Sequence, residues 1–421
     1  MLDIKFIREN PDAVKKAIAD KRVDLNLDRL LQLDAELREA DTRLQNLRAE
    51  KNAISESIPK LGAGEKTAAV AKSKELGEEI SKLESNSKAS GAEFEQLMWL
   101  VPNIPAPDVP VGKDDSENVV VRQVGKPREF GFAPKAHWEL AEMNNWADFK
   151  RIPNVCGSRS VALKGALSRL EIALHAYMMD KLTAKGFTMI TVPSMVRETA
   201  LYGTGHFPTG REEVYYLEKD DTYLSGTAEV VLTSLHSSEI LEEAQLPLLY
   251  AGYSPCFRRE AGSAGKDVRG LFRVHQFMKV EQYVICKNDL EESKKWYGVL
   301  LSCAEEVLAD LELPYQVVEC CTGDMGAGKY KMNDLETWMP SENRYRETHS
   351  CSNLTEWQAR RANLRYRENG TNKVRHCFTL NNTGIATPRI LAQFIENHQT
   401  EDGRVRLPEK IRPYMNNNEY L

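Results

Sequence analysis

The first hundred residues carry a heptad pattern that leaves few folds open. Leu30, Leu33, Leu37, Ala40, Leu44, Leu47, Lys51, Ile54 and Ile58 recur in steps of three and four, with one polar residue interrupting the seam. A second run repeats the pattern at Ala69, Ser73, Leu76, Ile80, Leu83, Ser87, Ser90, Phe94, Leu97 and Val101, with small residues in its middle. Pro59 and Gly62-Ala63-Gly64 break the helix between them. Two heptad helices of similar length joined by a short glycine-containing turn predict an antiparallel hairpin, each arm about 50 Å long. Such a hairpin is either a dimerisation coiled coil or a rod that reaches a partner the globular body cannot touch. Upstream, Asn10-Pro11-Asp12 predicts a short helix with Asn10 as N-cap and Pro11 in the first turn.

Val101 to Pro110 is proline-rich, which excludes helix and favours extended, semi-rigid chain. This predicts a helical domain over 1–101, a linker over 102–118 and a mixed α and β domain over 119–421. In that last part Leu167–Lys185 reads as an amphipathic helix stopped by Gly186, and Phe187–Val192 as a strand ended by Pro193. Val214–Leu217 and Thr222–Leu224 read as a hairpin, and a final helix follows Pro388 through Ile395.

With 421 residues, two domains are expected. The net charge of −6 gives no global field for nucleic acid, so any RNA contact must be local. No run of about 18 apolar residues occurs, so no membrane span is expected. The amino-terminal residues lack a secretory or transit pattern, which makes the cytoplasm the expected location. The eight cysteines show no Cys-x-x-Cys pairing; reduced thiols are expected, and no zinc.

The chemistry concentrates around Cys256-Phe257-Arg258-Arg259-Glu260 and Val268–Phe277. Neither a P-loop nor a dinucleotide fingerprint is present, so phosphates must be held by side chains. Arginine suits this, because its planar fork donates two parallel bonds to phosphate or carboxylate. Arg258, Arg273 and Arg389 are the candidates, with Phe277 a flat apolar partner for a base and Glu260 an acceptor for an exocyclic amine. Glu347-Thr348-His349-Ser350 offers a carboxylate and a hydroxyl three residues apart, hard oxygens that suit magnesium.

The Phe257-Arg258-x-Glu260 segment with Arg273-x-x-x-Phe277 resembles motif 2 of the class II aminoacyl-tRNA synthetases. The helix, strand and Pro193 resemble motif 1, the dimer interface in that class. Thr227-Ala228-Glu229, Glu347–Ser352 and Asn353–Arg361 narrow the resemblance to the seryl-tRNA synthetases of the bacterial type. It implies an α+β catalytic domain, a mostly antiparallel sheet flanked by helices, carrying an N-terminal helical-hairpin arm. Arg258 would bridge the α-phosphate of ATP and the amino-acid carboxylate, and Arg273 would contact the terminal phosphates. Phe277 and Arg389 would sandwich adenine. Glu260 and the main chain at Val274 would hold the base edge, with Arg259, Thr348 and His349 alongside. Glu347 and Ser350 would bind Mg2+. Thr227 and Glu229 would receive the ammonium of L-serine, with Ala228 in the same loop. Glu281 and Thr383 would read its hydroxyl, with Asn381 beside them. Arg258, Arg389 and Glu347 would carry the catalysis.

Many members have Asn-Gly-Ser where this chain has Asn381-Asn382-Thr383. The resemblance further implies a homodimer, serine tRNA bound through the arm, and an activity that extends to selenocysteine tRNA. A carrier-protein ligase would lack the arm, and an inactive paralogue would lack an arginine or the metal carboxylate. Class II enzymes for threonine, proline or histidine would carry a further module, for which the roughly thirty residues after Arg389 leave no room. The zinc-dependent, archaeal-restricted seryl enzymes would need clustered cysteines.

Overall fold

The computed structural model describes every residue except 264–266, 268 and 372, together with all side chains but those of 63 and 263. Val268, part of the arginine-rich segment, therefore lies outside the described residues. The chain divides into two compact units. One comprises Asp3–Ile18 and Val23–Val101; the other comprises Met1–Leu2, Ala19–Arg22 and Pro102–Leu421.

The smaller unit is built on α3 (Leu27–Ser57) and α4 (Ala63–Leu100), preceded by α1 (Ile4–Glu9) and α2 (Pro11–Asp20). The seam positions are buried or half-buried along both long helices, with Leu30, Leu33, Leu44, Leu76 and Ile80 the best shielded. Pairs Arg29–Glu93 (2.6 Å) and Arg43–Glu79 join low numbers to high ones, as an antiparallel hairpin requires. Both are solvent-exposed, so the apolar seam dominates the packing. The chain reverses over Ile58–Gly62, and Gly64 falls inside the first turn of α4. As expected, Asn10 stands immediately before α2, and its carbonyl accepts from the Val14 N–H at 3.2 Å. It also ends α1, an element not anticipated, and its amide turns back to donate to the Phe6 carbonyl at 3.0 Å.

The larger unit is an eight-stranded sheet. Its strands are β1 (Val119–Val124), β2 (Thr188–Thr191), β3 (Leu248–Phe257), β4 (Gln276–Cys286), β5 (Tyr315–Glu319), β6 (Lys331–Met339), β7 (Arg344–Thr355) and β8 (Phe378–Ala386). The order is β1-β5-β6-β7-β8-β4-β3-β2, antiparallel except for the β3–β2 pair. One face packs against α5 (Gly165–Ala184), α6 (Leu290–Asp310) and α7 (Arg389–His398). Leu170, Leu174 and Met178 of α5 meet Val280 and Val284 of β4 there, beside Leu300, Ala304 and Val307 of α6. Gly186 leaves α5 at φ +87°, the left-handed conformation glycine adopts without strain. α7 runs one turn past the expected end, to His398.

The proline-rich stretch from Pro102 is tied into this unit by its polar groups. Asn103 donates to the Leu354 carbonyl (2.9 Å) and the Thr355 hydroxyl (3.1 Å), and its backbone N–H to Ala327 (2.9 Å). All eight cysteines are free, Cys156 exposed and the others buried. No helix among the described residues is long and apolar enough to cross a membrane.

Candidate active site

Strand periodicity assembles the site on the sheet face opposite α5 and α6. Successive side chains in a strand alternate faces, so Phe277, Lys279 and Glu281 of β4 project together while Met278 and Val280 project the other way. On β8, Asn381 and Thr383 share the face of Tyr283 and Glu281, their register partners. Val280 faces Ile385 but Glu281 faces Thr383, so Gly384 is an extra residue in β8. A β-carbon there would lie 2.9 Å from both the Val280 carbonyl and the Met178 methyl, which is why glycine fits.

A second bulge resolves the odd spacing of Glu347 and Ser350. Residues three apart in a regular strand point to opposite faces. In the β6–β7 pair Glu336 faces Glu347 but Leu335 faces His349, so Thr348 is the extra residue. Glu347 and Ser350 consequently share one face with Asp334 and Glu336. The donor set of a carboxylate and a hydroxyl, backed by the buried carboxyl group of Asp334, fits a hard divalent cation.

The cations and carboxylates of the cleft are already interlocked. Arg389 pairs with Glu347 at 3.1 Å, and its guanidinium lies 4.8 Å from the Phe272 ring centre. Arg346 covers the same ring at 3.9 Å. Arg273 pairs with Glu260 at 2.7 Å and with Asp267 at 3.2 Å. The Arg258 guanidinium sits 5.3 Å from the Phe277 ring centre. Glu347 has a 45% exposed side chain. Loss of part of its water works to raise its carboxyl, but Arg389 and Arg258 outweigh this and hold it below the usual carboxylate range. Phe277, Arg389, Val274, Arg273, Glu260 and Thr348 line one narrow pocket, and a wider cleft of about 450 Å³ opens beside it at His206, Gly226 and Phe257.

The deep end of the face is a small polar chamber. Glu229 accepts from the amides of Gln358 (2.7 Å) and Asn381 (2.8 Å). Burial works to raise its carboxyl, yet Lys329, His206 and the Gln358 bond leave it lowered. Glu281, 1% exposed, is pushed up by burial although Lys279 pairs with it directly. The Thr227 hydroxyl lies 3.4 Å from both Glu281 and Lys279. A chamber that sets two buried carboxylates among Lys279, Lys329 and hydroxyls suits a small zwitterion with a polar side chain.

Other expected residues lie elsewhere. The Ala228 side chain belongs to the apolar cluster with Leu232 and Val192. Arg259 donates to the Glu212 carbonyl at 3.2 Å, away from the narrow pocket. His349 is buried on the helix side against Thr348 (2.9 Å) and the Gly384 carbonyl (3.1 Å), and burial lowers it to about 4. Asn382 likewise points to the helix side, donating to Leu300 at 2.8 Å. Lys279, Lys329 and Gln358 were not among the expected site residues. Counting by two from Phe277 and Glu281 reaches Lys279, and Gln358 lies within the Asn353–Arg361 segment, whereas no sequence signal marks Lys329.

Comparison with known proteins follows this geometry. The family profile described as "Seryl-tRNA synthetase N-terminal domain" matches residues 1–105. That described as "tRNA synthetase class II core domain (G, H, P, S and T)" matches residues 214–398. A curated serine–tRNA ligase of Deinococcus radiodurans is 51% identical over 422 residues, spanning 100% of this chain and 99% of that protein. One from Symbiobacterium thermophilum is 44% identical, spanning 98% of each. A crystal structure of seryl-tRNA synthetase from Pyrococcus horikoshii complexed with ATP superposes with a TM-score of 0.93 at 40% identity, covering 100% of this chain and 99% of that one.

Proposed function

This chain belongs to the seryl-tRNA synthetase family of the class II aminoacyl-tRNA synthetases, and on that premise we propose how its cleft performs the reaction. It is an ATP-dependent ligase that joins serine to tRNA. The serine carboxylate is already an anion and needs no protein base to attack the α-phosphorus. One of its oxygens forms the new P–O bond while the bond to pyrophosphate breaks. The terminal ribose hydroxyl of the tRNA then takes the seryl group, and AMP leaves.

The chain contributes position and charge. Arg258, at the end of β3, bridges the serine carboxylate and the α-phosphate. Arg273 and Arg389 exchange their carboxylate partners for the triphosphate and the base, which stacks on Phe277. Glu260 and the Val274 main chain hold the base edge. Glu347 and Ser350 hold Mg2+, which when bound neutralises phosphate charge. In the chamber Glu229 and Thr227 receive the ammonium, and Glu281 and Thr383 bind the side-chain hydroxyl, with Lys279 balancing the charge of Glu281. We assign the helical hairpin to the long variable arm and elbow of serine tRNA, contacted largely through backbone and shape. The working form is a cytoplasmic homodimer in which each hairpin serves the tRNA bound across the partner, and selenocysteine tRNA is a second acceptor.

The observation that carries this reading is the convergence of Phe277, Lys279, Glu281, Thr383, Glu347 and Ser350 on one sheet face through two bulges. ATP–pyrophosphate exchange with each of the twenty amino acids tests it. Serine should support rapid exchange, and Arg258→Ala should abolish it. Near-normal exchange in that variant refutes the role given to Arg258.

A further inference from the structure

Asp334 is a buried carboxyl group that the mechanism above leaves idle. It lies on β6 directly opposite Ser350, on the face the Thr348 bulge gives to Ser350 and Glu347. Its residue is 8% exposed, and its Oδ1 atom has no hydrogen-bond partner. Ser350 and Cys320 adjoin its carboxyl group, which burial and the neighbouring Glu347 and Asp324 push well above the usual carboxylate range. Ligand atoms of Asp334, Asp324 and Cys320 all fall within 4.8 Å of one another. Among the described residues no lysine, arginine or histidine pairs with Asp334. Asp324 in turn receives a 2.8 Å bond from the Asn118 amide.

A buried acceptor left unpaired costs the full loss of its water. Here it stands beside a hydroxyl assigned to a metal, in a nest of like charge. Magnesium keeps several of its waters when bound to protein, and these waters need acceptors. Groups behind the direct ligands orient them and tune affinity. We propose that Asp334 is a positioning residue for the cation held by Glu347 and Ser350. One carboxylate oxygen accepts a hydrogen bond from the Ser350 hydroxyl, leaving the hydroxyl lone pairs to the metal. The unpaired oxygen accepts from a water carried by that cation. This rests on the Glu347–Ser350 reading.

Electron spin resonance of Mn2+ tests it, titrated into the full chain with a non-hydrolysable ATP analogue. Asp334→Asn keeps the shape and one acceptor but turns the other position into a donor. It should weaken Mn2+ binding about tenfold without lowering the melting temperature. Ser350→Ala should weaken it similarly, and the double variant should lose less than the product of the two single losses. Wild-type affinity in Asp334→Asn with a loss in Ser350→Ala overturns the inference and leaves the metal reading intact. Wild-type affinity in both Ser350→Ala and Glu347→Ala overturns that reading itself. A second bound Mn2+ that disappears in Cys320→Ala also overturns the inference, because Asp334 would then be a ligand of its own cation.

Discussion

Glu281, to which we assign the reading of the serine hydroxyl, holds that place at the cost of its own solvation. It is buried beside Lys279, and burial raises its carboxyl. A serine hydroxyl adds a partner for Glu281 beyond Lys279 and one for Thr383, whereas alanine supplies neither, a difference worth up to roughly 10⁴-fold. Glu281→Ala is therefore expected to reduce the preference for serine over alanine by about 100-fold or more in pyrophosphate exchange. An unchanged ratio would mean another group reads the hydroxyl. At this scale much of the candidate site was legible, because the arginines, Phe277 and the Glu347–Ser350 pair sit in recognisable spacings and the structure brings them to one cleft. Lys279 was not, since a lone lysine in a strand has many ordinary uses. Nor was the pairing of Arg389 with Glu347, which joins residues 42 positions apart.

The bulges are where strand-level chemistry departs from what periodicity can say. An alternating pattern predicts that Glu347 and Ser350 face apart, and only the extra Thr348 turns them together. Gly384 does the same for β8, and its backbone position leaves no room for a side chain. Gly384→Ala should cost about 1–3 kcal/mol in stability through overpacking. It should also raise KM for serine by displacing Thr383, while KM for ATP changes less. Equal KM values with normal melting would show that the bulge tolerates a methyl group. The helical hairpin was far easier to read, because its seam repeats over many turns and each position reports the same packing. Asn10 shows the opposite case: it both ends α1 and precedes α2, and a single local signal reported only the second.

At the level of the whole molecule, adenylate formation should be separable from tRNA charging. Removing residues 30–98 should leave serine-dependent exchange largely intact and cripple transfer to tRNA; charging that survives the deletion would make the hairpin a structural element only. Stability should also follow pH in a defined direction. His398 is 4% exposed, its Nε2 lies 2.8 Å from the Leu311 carbonyl, and burial lowers it to about 4. Because the unfolded chain takes up the proton near pH 6.5 and the folded one does not, stability should fall as pH drops from about 6.5 toward 4, by up to about 3 kcal/mol from this residue. His398→Gln should flatten that slope in denaturant titrations at pH 7.5 and 4.5. The central claim, that one sheet face binds both reactants, is tested most directly by a crystal structure with a sulfamoyl analogue of seryl-adenylate. The serine hydroxyl should lie within hydrogen-bond distance of Glu281 and Thr383, the sulfamoyl group against Arg258, and adenine on Phe277. An analogue bound with its base away from Phe277, or its hydroxyl away from Glu281, would contradict that claim.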